Sequence, residues 1–148
     1  MNFILIILLS AFIATTLMTI VSYCMSYMFG NQFKEPVLLN TLLRNSTWIS
    51  EDSVNSAAGW LMHYAVGIGF VVIYYLLWNF GGLSPTYFNG GLLGLISGVF
   101  GVSVWWIIFK IHRNPPSINR SGFFLHLIIV HIIFGVGATA GYLLLSSN

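Results

Sequence analysis

Four long stretches without a charged side chain constrain this sequence more than any other feature. The apolar runs cover residues 2–29, 56–80, 90–109 and 122–145, and every Lys, Arg, Asp and Glu lies between them. A helix needs about 20 apolar residues to cross the hydrocarbon core of a bilayer, and each run is long enough. The sequence therefore predicts an all-α integral membrane protein, with residues 1–148 forming one membrane domain of four transmembrane helices.

The composition excludes the main alternatives to a membrane protein. Only 5% of the 148 residues are charged and 57% are hydrophobic, whereas soluble domains carry roughly 25% charged residues. Such a chain cannot cover a water-facing surface, and it is too hydrophobic to be disordered. The net charge of +2 is too weak and too scattered for a nucleic-acid partner. The lipid bilayer is the partner that the composition indicates.

All five basic side chains fall in two of the three connections. Lys34 and Arg44 lie in the first connection, and Lys110, Arg113 and Arg120 lie in or at the third. With four spans these two connections share one side, which the positive-inside rule makes cytoplasmic. Both termini are then predicted to be extracytoplasmic.

The first connection carries a helix pattern of its own. Pro36 suits the first turn of a helix, and four leucines then form one apolar stripe. We predict a short helix over 36–44 lying on the inner membrane surface; the alternative is a loop packed over the bundle. The stripe consists of Leu38, Leu39, Leu42 and Leu43.

The second and fourth runs share a pattern that indicates an internal duplication. H-x-x-x-G-x-G-x-x-x-x-Y-x-L-L begins at His63 and again at His131. Ahead of these runs, Glu35-Pro36 parallels Asn114-Pro115. Matches in the same order predict two tandem helix-pair repeats, over 1–80 and 81–148, related by a pseudo-twofold axis along the membrane normal.

Small residues recur along the first and third runs at mostly four-residue spacing. Such stripes let helix backbones approach closely, which drives helix packing inside a membrane. We predict a helix-packing role for them. The aligned positions are Ala11, Thr15, Thr19 and Ser22 in the first run and Gly90, Gly94, Gly98 and Gly101 in the third.

The repeat places two histidines at equivalent depths. His63 and His131 each lie about 15 Å along their helices, near the middle of the membrane. Ionisable residues there are costly and are candidates for function. Gly67 and Gly135 follow one turn later and are expected to leave a gap beside each imidazole. The pattern is compatible with haem b or a metal bound between the two histidines, with a substrate or proton pathway, or with a hydrogen bond between them across the bundle.

The acidic residues narrow the function classes. Glu35, Glu51 and Asp52 all lie in the first connection, and no span carries a carboxylate. This argues against a carboxylate-coupled transporter and assigns no catalytic residue. We expect a membrane-complex subunit, with other subunits or a second copy as partner, or a carrier-like binding module. A bis-histidine haem b protein in electron transfer is the first alternative, and an intramembrane enzyme is the second.

Several short segments resemble small four-span bacterial membrane proteins of unknown function. They are Ala14-Thr-Thr-Leu-Met18-Thr19, His63-Tyr-Ala-Val-Gly67, Asn114-Pro115-Pro116 and His131-Ile-Ile-Phe-Gly135. The resemblance implies a bacterial inner-membrane protein and brings no activity with it.

Overall fold

The computed structural model describes residues 2–45 and 56–147, which form five α-helices and no strand. Four of the helices are long and apolar enough to cross a membrane. This confirms the prediction of an all-α chain with four long apolar helices. The helices are α1 (Phe3–Phe29), α2 (Glu35–Arg44), α3 (Ser56–Asn79), α4 (Tyr87–Ile111) and α5 (Arg120–Ser146).

Helices α4 and α5 begin before their apolar runs because polar residues at their starts satisfy free backbone amides. The side chain of Thr86 accepts a hydrogen bond from the Asn89 amide at the start of α4. Asn119 does the same for Gly122 at the start of α5. Gly30 closes α1 in the left-handed conformation, with φ of 62°, where a residue without a Cβ is unstrained.

The four long helices pack unevenly. α5 packs closely along both α4 and α1, and α1 also packs on α3. Near the ends of α1 and α5 that lack basic residues, small residues bring the backbones together: a Cβ added to Gly141 would lie 3.0 Å from Ser10 Cα. α3 and α4 make fewer backbone contacts than these pairs within the described residues. The bundle is therefore closed between α1 and α5 and more open between α3 and α4.

The short helix α2 packs against the bundle rather than standing apart from it. Leu38 and Leu42 are buried in an apolar cluster with Trp105 of α4 and Phe123 of α5. Gly59 of α3 lets the two helices touch, because a Cβ there would collide with the Pro36 carbonyl oxygen, and its amide donates to Asn40 Oδ1 at 2.8 Å. A helix thus forms where one was predicted, and its apolar stripe is covered by protein. Its position relative to a membrane surface stays a prediction.

The first and third connections lie at the same end of the bundle. Asn45 Nδ2 donates to the Asn114 carbonyl at 3.0 Å, and His112 Nε2 lies 3.1 Å from the Leu42 carbonyl. All five Lys and Arg residues therefore lie at one end, which we call the basic end. The orientation of that end in a membrane stays a prediction. Glu51 and Asp52 fall outside the described residues.

Candidate functional site

A cavity of about 270 Å³ lies where α3 and α4 diverge, in the half of the bundle nearer the basic end. Its wall is almost entirely apolar. Met62, Val66 and Phe100 on its wall are 43%, 57% and 59% exposed on the outer surface of the bundle, so the cavity opens sideways between α3 and α4. It is lined by residues of all five helices: Thr15, Met18, Glu35, Leu39, Met62, His63, Val66, Gly67, Phe70, Phe100, Gly101, Val104, Trp105, Ile108, Leu127, His131 and Phe134.

His63 lines this cavity and is held by α1. Its Nε2 lies 3.0 Å from Thr19 Oγ1. The Thr19 hydroxyl donates its only proton to the Thr15 carbonyl at 2.6 Å, so Thr19 must accept from His63 Nε2–H. A neutral imidazole has one protonated nitrogen. The network therefore assigns the proton to Nε2 and leaves Nδ1 as an acceptor.

His131 lines the same cavity from α5 and has the opposite tautomer. Its Nδ1 lies 2.8 Å from the Leu127 carbonyl, one turn earlier on α5. A carbonyl only accepts, so Nδ1 carries the proton and Nε2 keeps its lone pair. Both free nitrogens, on His63 and His131, are acceptors and cannot bond to each other. The two histidines thus share a cavity, but their hydrogen bonds go to other partners.

The space beside the imidazoles differs from the arrangement expected from sequence. A Cβ on Gly67 would collide with Thr15 Oγ1, and a Cβ on Gly135 would collide with the Gly90 carbonyl of α4. Both glycines therefore lie at close helix contacts. Gly67 also lines the cavity beside His63, whereas Gly135 does not line it, so the gap expected beside His131 is not at Gly135. At His131 the neighbouring glycine on the cavity wall is Gly101 of α4, where an added Cβ would lie 3.5 Å from Nε2.

The other small residues of the stripes lie at helix interfaces. Thr15 and Thr19 are buried between α1 and α3. Gly94 faces the main chain of α5 so closely that its Cβ would meet the His131 carbonyl. Gly90 faces Thr139, and Gly98 faces Ile128, whose Cα would lie 3.0 Å from an added Cβ.

A buried carboxylate lies at the inner wall of the cavity, which the sequence interpretation missed. Glu35, the first residue of α2, is 3% exposed. Ser22 donates to its Oε1 at 3.2 Å, and His126 Nε2 lies 3.5 Å from the same oxygen. Its other oxygen, Oε2, is buried without a hydrogen-bond partner among the described residues. Glu35 lies in the first connection, outside the four candidate spans, as the sequence shows, but α2 buries it against the bundle.

His126 of α5 belongs to this buried group. It is 1% exposed, its Nε2 lies 3.0 Å from Ser22 Oγ, and its ring stacks on Phe33 at 4.5 Å between centroids. The sequence did hold a signal. Ser22 continues the small-residue stripe of α1, and Glu35 begins a helix, where the backbone dipole favours a negative charge.

The side chains present limit whether this site can bind a metal ion. Within residues 2–45 and 56–147, no group of three or more His, Cys, Asp or Glu side chains could hold a metal ion. The polar atoms on the cavity wall instead suit hydrogen bonding to a small molecule.

Comparisons of the chain with protein-family models, curated proteins and solved structures found no match.

Proposed function

We propose that this protein is a multi-pass membrane binding module of the carrier type, which holds a small amphipathic molecule in the cavity between α3 and α4. The observation that carries the proposal is the cavity itself, an apolar space with a sideways opening and a few buried polar groups. Small-molecule sites in proteins are mostly apolar and use a few placed polar groups for orientation. Glu35, His63 and His131 supply those groups.

The sideways opening supports a ligand that arrives through the lipid phase. The exposed surfaces of Met62, Val66 and Phe100 border the opening, and these parts of α3 and α4 face lipid if the long helices span a bilayer. A hydrophobic molecule then enters without crossing water, while its apolar surface stays in apolar surroundings. The volume of about 270 Å³ suits a ring or a short length of chain, with the remainder extending into the lipid.

The proposed location is a bacterial inner membrane, with the basic end in the cytoplasm and both termini outside. The support is the placement of all five Lys and Arg residues at one end of the bundle, which agrees with the positive-inside rule.

We also propose that the bundle arose by duplication of a helix pair. Contacts between α1 and α3 recur between α4 and α5 at the positions that the sequence repeat aligns. Each alignment was made from sequence alone, so the agreement of the contacts supports the repeat. The equivalent contacts are Thr15 with Gly67 and Thr19 with His63 in the first half, and Gly94 with Gly135 and Gly98 with His131 in the second.

Under this proposal the bundle has two equivalent helix interfaces, and the cavity lies at one of them. A pseudo-twofold axis would make the α1–α5 and α4–α3 interfaces equivalent. Gly137 of α5 packs on α1, with Ala14 Cα 3.4 Å from its added Cβ, whereas α3 and α4 make few backbone contacts within the described residues. One of the two interfaces is therefore closed, and the cavity occupies the other.

The test is native mass spectrometry of protein extracted gently from its membrane. Gly101→Leu fills the cavity beside His131, and we expect it to reduce a bound small-molecule adduct at least tenfold relative to the wild type. Gly69→Leu is the matched control, since Gly69 faces open space on α3, and it should retain the adduct. An adduct that is equally abundant in all three proteins would contradict the proposal, and so would a wild type without one.

Haem b ligation is a second candidate, favoured by one observation. His131 donates Nδ1–H to a main-chain carbonyl, as metal-ligating histidines commonly do, and His63 shares its cavity. Haem binding has less support than small-molecule binding, because His63 Nε2 is hydrogen-bonded to Thr19 and none of the described lining residues is a Lys or Arg that could hold the haem propionates. Protein from haem-sufficient cells should then absorb visible light and lose the absorbance in His131→Ala. A colourless wild type would exclude it.

A further inference from the structure

Two ring nitrogens on the cavity wall can only accept hydrogen bonds. His63 Nδ1 and His131 Nε2 carry lone pairs, because the opposite nitrogen of each ring is the donor to Thr19 or Leu127. Glu35 also lines the cavity, but its Oε2, which has no partner among the described residues, is itself buried. Of the other polar side chains on the wall, Thr15 can donate or accept through its hydroxyl, and Trp105 can donate through its indole N–H.

The two histidine acceptors restrict which molecules can occupy the cavity favourably. A buried acceptor without a donor costs free energy, because it has left water without a replacement hydrogen bond. An occupant bearing O–H groups offsets that cost, whereas one bearing only ether or carbonyl oxygens leaves the acceptors unpaired. The polar end of the ligand should therefore be a donor.

The apolar part of the wall indicates the shape of that polar end. Phe70, Phe100, Trp105 and Phe134 all line the cavity. Phe70 lies edge-on to Phe100 at 6.2 Å and to His131 at 5.9 Å between centroids. Aromatic walls favour an aromatic guest through stacked and edge-to-face contacts.

We propose that the cavity selects a phenolic ring carried on an apolar tail, a class that includes alkylphenols and the reduced, hydroquinone form of lipid-soluble quinones. The ring lies among the aromatic side chains, its hydroxyl groups donate to His131 Nε2 and to the neighbouring acceptors, and its tail leaves through the opening between α3 and α4. This inference rests on the proposed binding function and specifies its ligand.

The test compares two probes that differ only in the donor. 4-Dodecylphenol and its methyl ether have the same ring and tail, but the ether has no O–H. Their saturable binding is measured by equilibrium dialysis of radiolabelled probe against protein in nanodiscs, with empty nanodiscs subtracted. We expect the phenol to bind about tenfold more tightly, which corresponds to one hydrogen bond of about 1.4 kcal/mol.

Variants assign the acceptors. In His131→Phe, which keeps a ring of similar size, the preference for phenol should fall below about threefold while the ether binds as before. The probe has a single O–H and donates to one acceptor, so His63→Phe should keep most of the preference, and His112→Phe, outside the cavity, should leave it unchanged. Binding of the ether shows that each variant is folded. A preference that survives His131→Phe would overturn the assignment of the acceptor.

The outcomes separate this inference from the proposed function. Saturable and equal binding of phenol and ether to the wild type would overturn the donor requirement and leave an apolar binding module. Saturable binding of neither probe would contradict the phenolic ligand, and the native adduct described above then decides the binding function by itself.

Discussion

Replacement of Gly94 by alanine tests the close contact between α4 and α5. A Cβ at this position would collide with the His131 carbonyl oxygen and lie 2.8 Å from Ile132 Cα. Both are main-chain atoms and cannot rotate away, so the helices must separate. Overpacking of this kind costs about 1–3 kcal/mol, against a gain of up to about 1 kcal/mol for replacing glycine inside a helix. We expect Gly94→Ala to lower the free energy of unfolding by about 1–2 kcal/mol.

Gly91→Ala is the matched control on the same helix. Its Cβ would meet Val136 Cγ2 at 3.8 Å and Ile132 Cγ2 at 4.0 Å, which are ordinary contacts. The helix-propensity gain should then dominate, and the variant should be more stable by about 0.5–1 kcal/mol. Equilibrium unfolding in mixed micelles with an increasing fraction of SDS measures both free energies. Equal stabilities of the two variants, or a Gly94→Ala protein at least as stable as wild type, would refute the packing argument.

Two further predictions concern topology and the buried carboxylate. In a background without the native cysteine, Ser84→Cys should react with an impermeant maleimide added outside intact cells. Ser117→Cys should not react, because it lies at the basic end, which is proposed to be cytoplasmic. Labelling of Ser117→Cys from outside would contradict the proposed orientation. His126→Phe removes one of the two partners of Glu35 Oε1, Ser22 being the other, and should destabilise the protein by about 1–3 kcal/mol, measured as above, and adding Glu35→Gln should recover part of that loss. Additive losses in the double variant would show that the two side chains do not interact.

The helices could be predicted from sequence because their cause is local. A run such as 2–29 must satisfy its backbone groups within itself if it is to leave water, and a helix is the structure that does so. Helix α2 was also predictable, since Pro36 and the leucine stripe are local signals. His63 and His131 line one cavity, whereas the proposed repeat predicted only that they lie at equivalent depths.

Glu35 shows what the linear pattern could not supply. Its position between two apolar runs placed it in the first connection, outside the spans, and its burial depends on α2 folding back against α1 and α5. That packing is a tertiary property of Phe33, Leu38 and Leu42, which no periodicity reveals. The prediction for Gly135 failed for a similar reason, because the face that it presents to α4 depends on how α4 and α5 pack together.

The central claim, that the cavity selects a ligand rather than holding bulk lipid, is tested most directly by photocapture in the native membrane. Phe100 lines the cavity opening, and Phe12 is as exposed, at 58% against 59%, but lies on α1 away from it. Each is replaced in turn by p-azidophenylalanine, the cells are illuminated, and the captured molecules are identified by mass spectrometry. We predict one discrete compound with a phenolic ring at position 100 and a mixture of membrane lipids at position 12. The same lipid mixture at both positions would contradict a selective site.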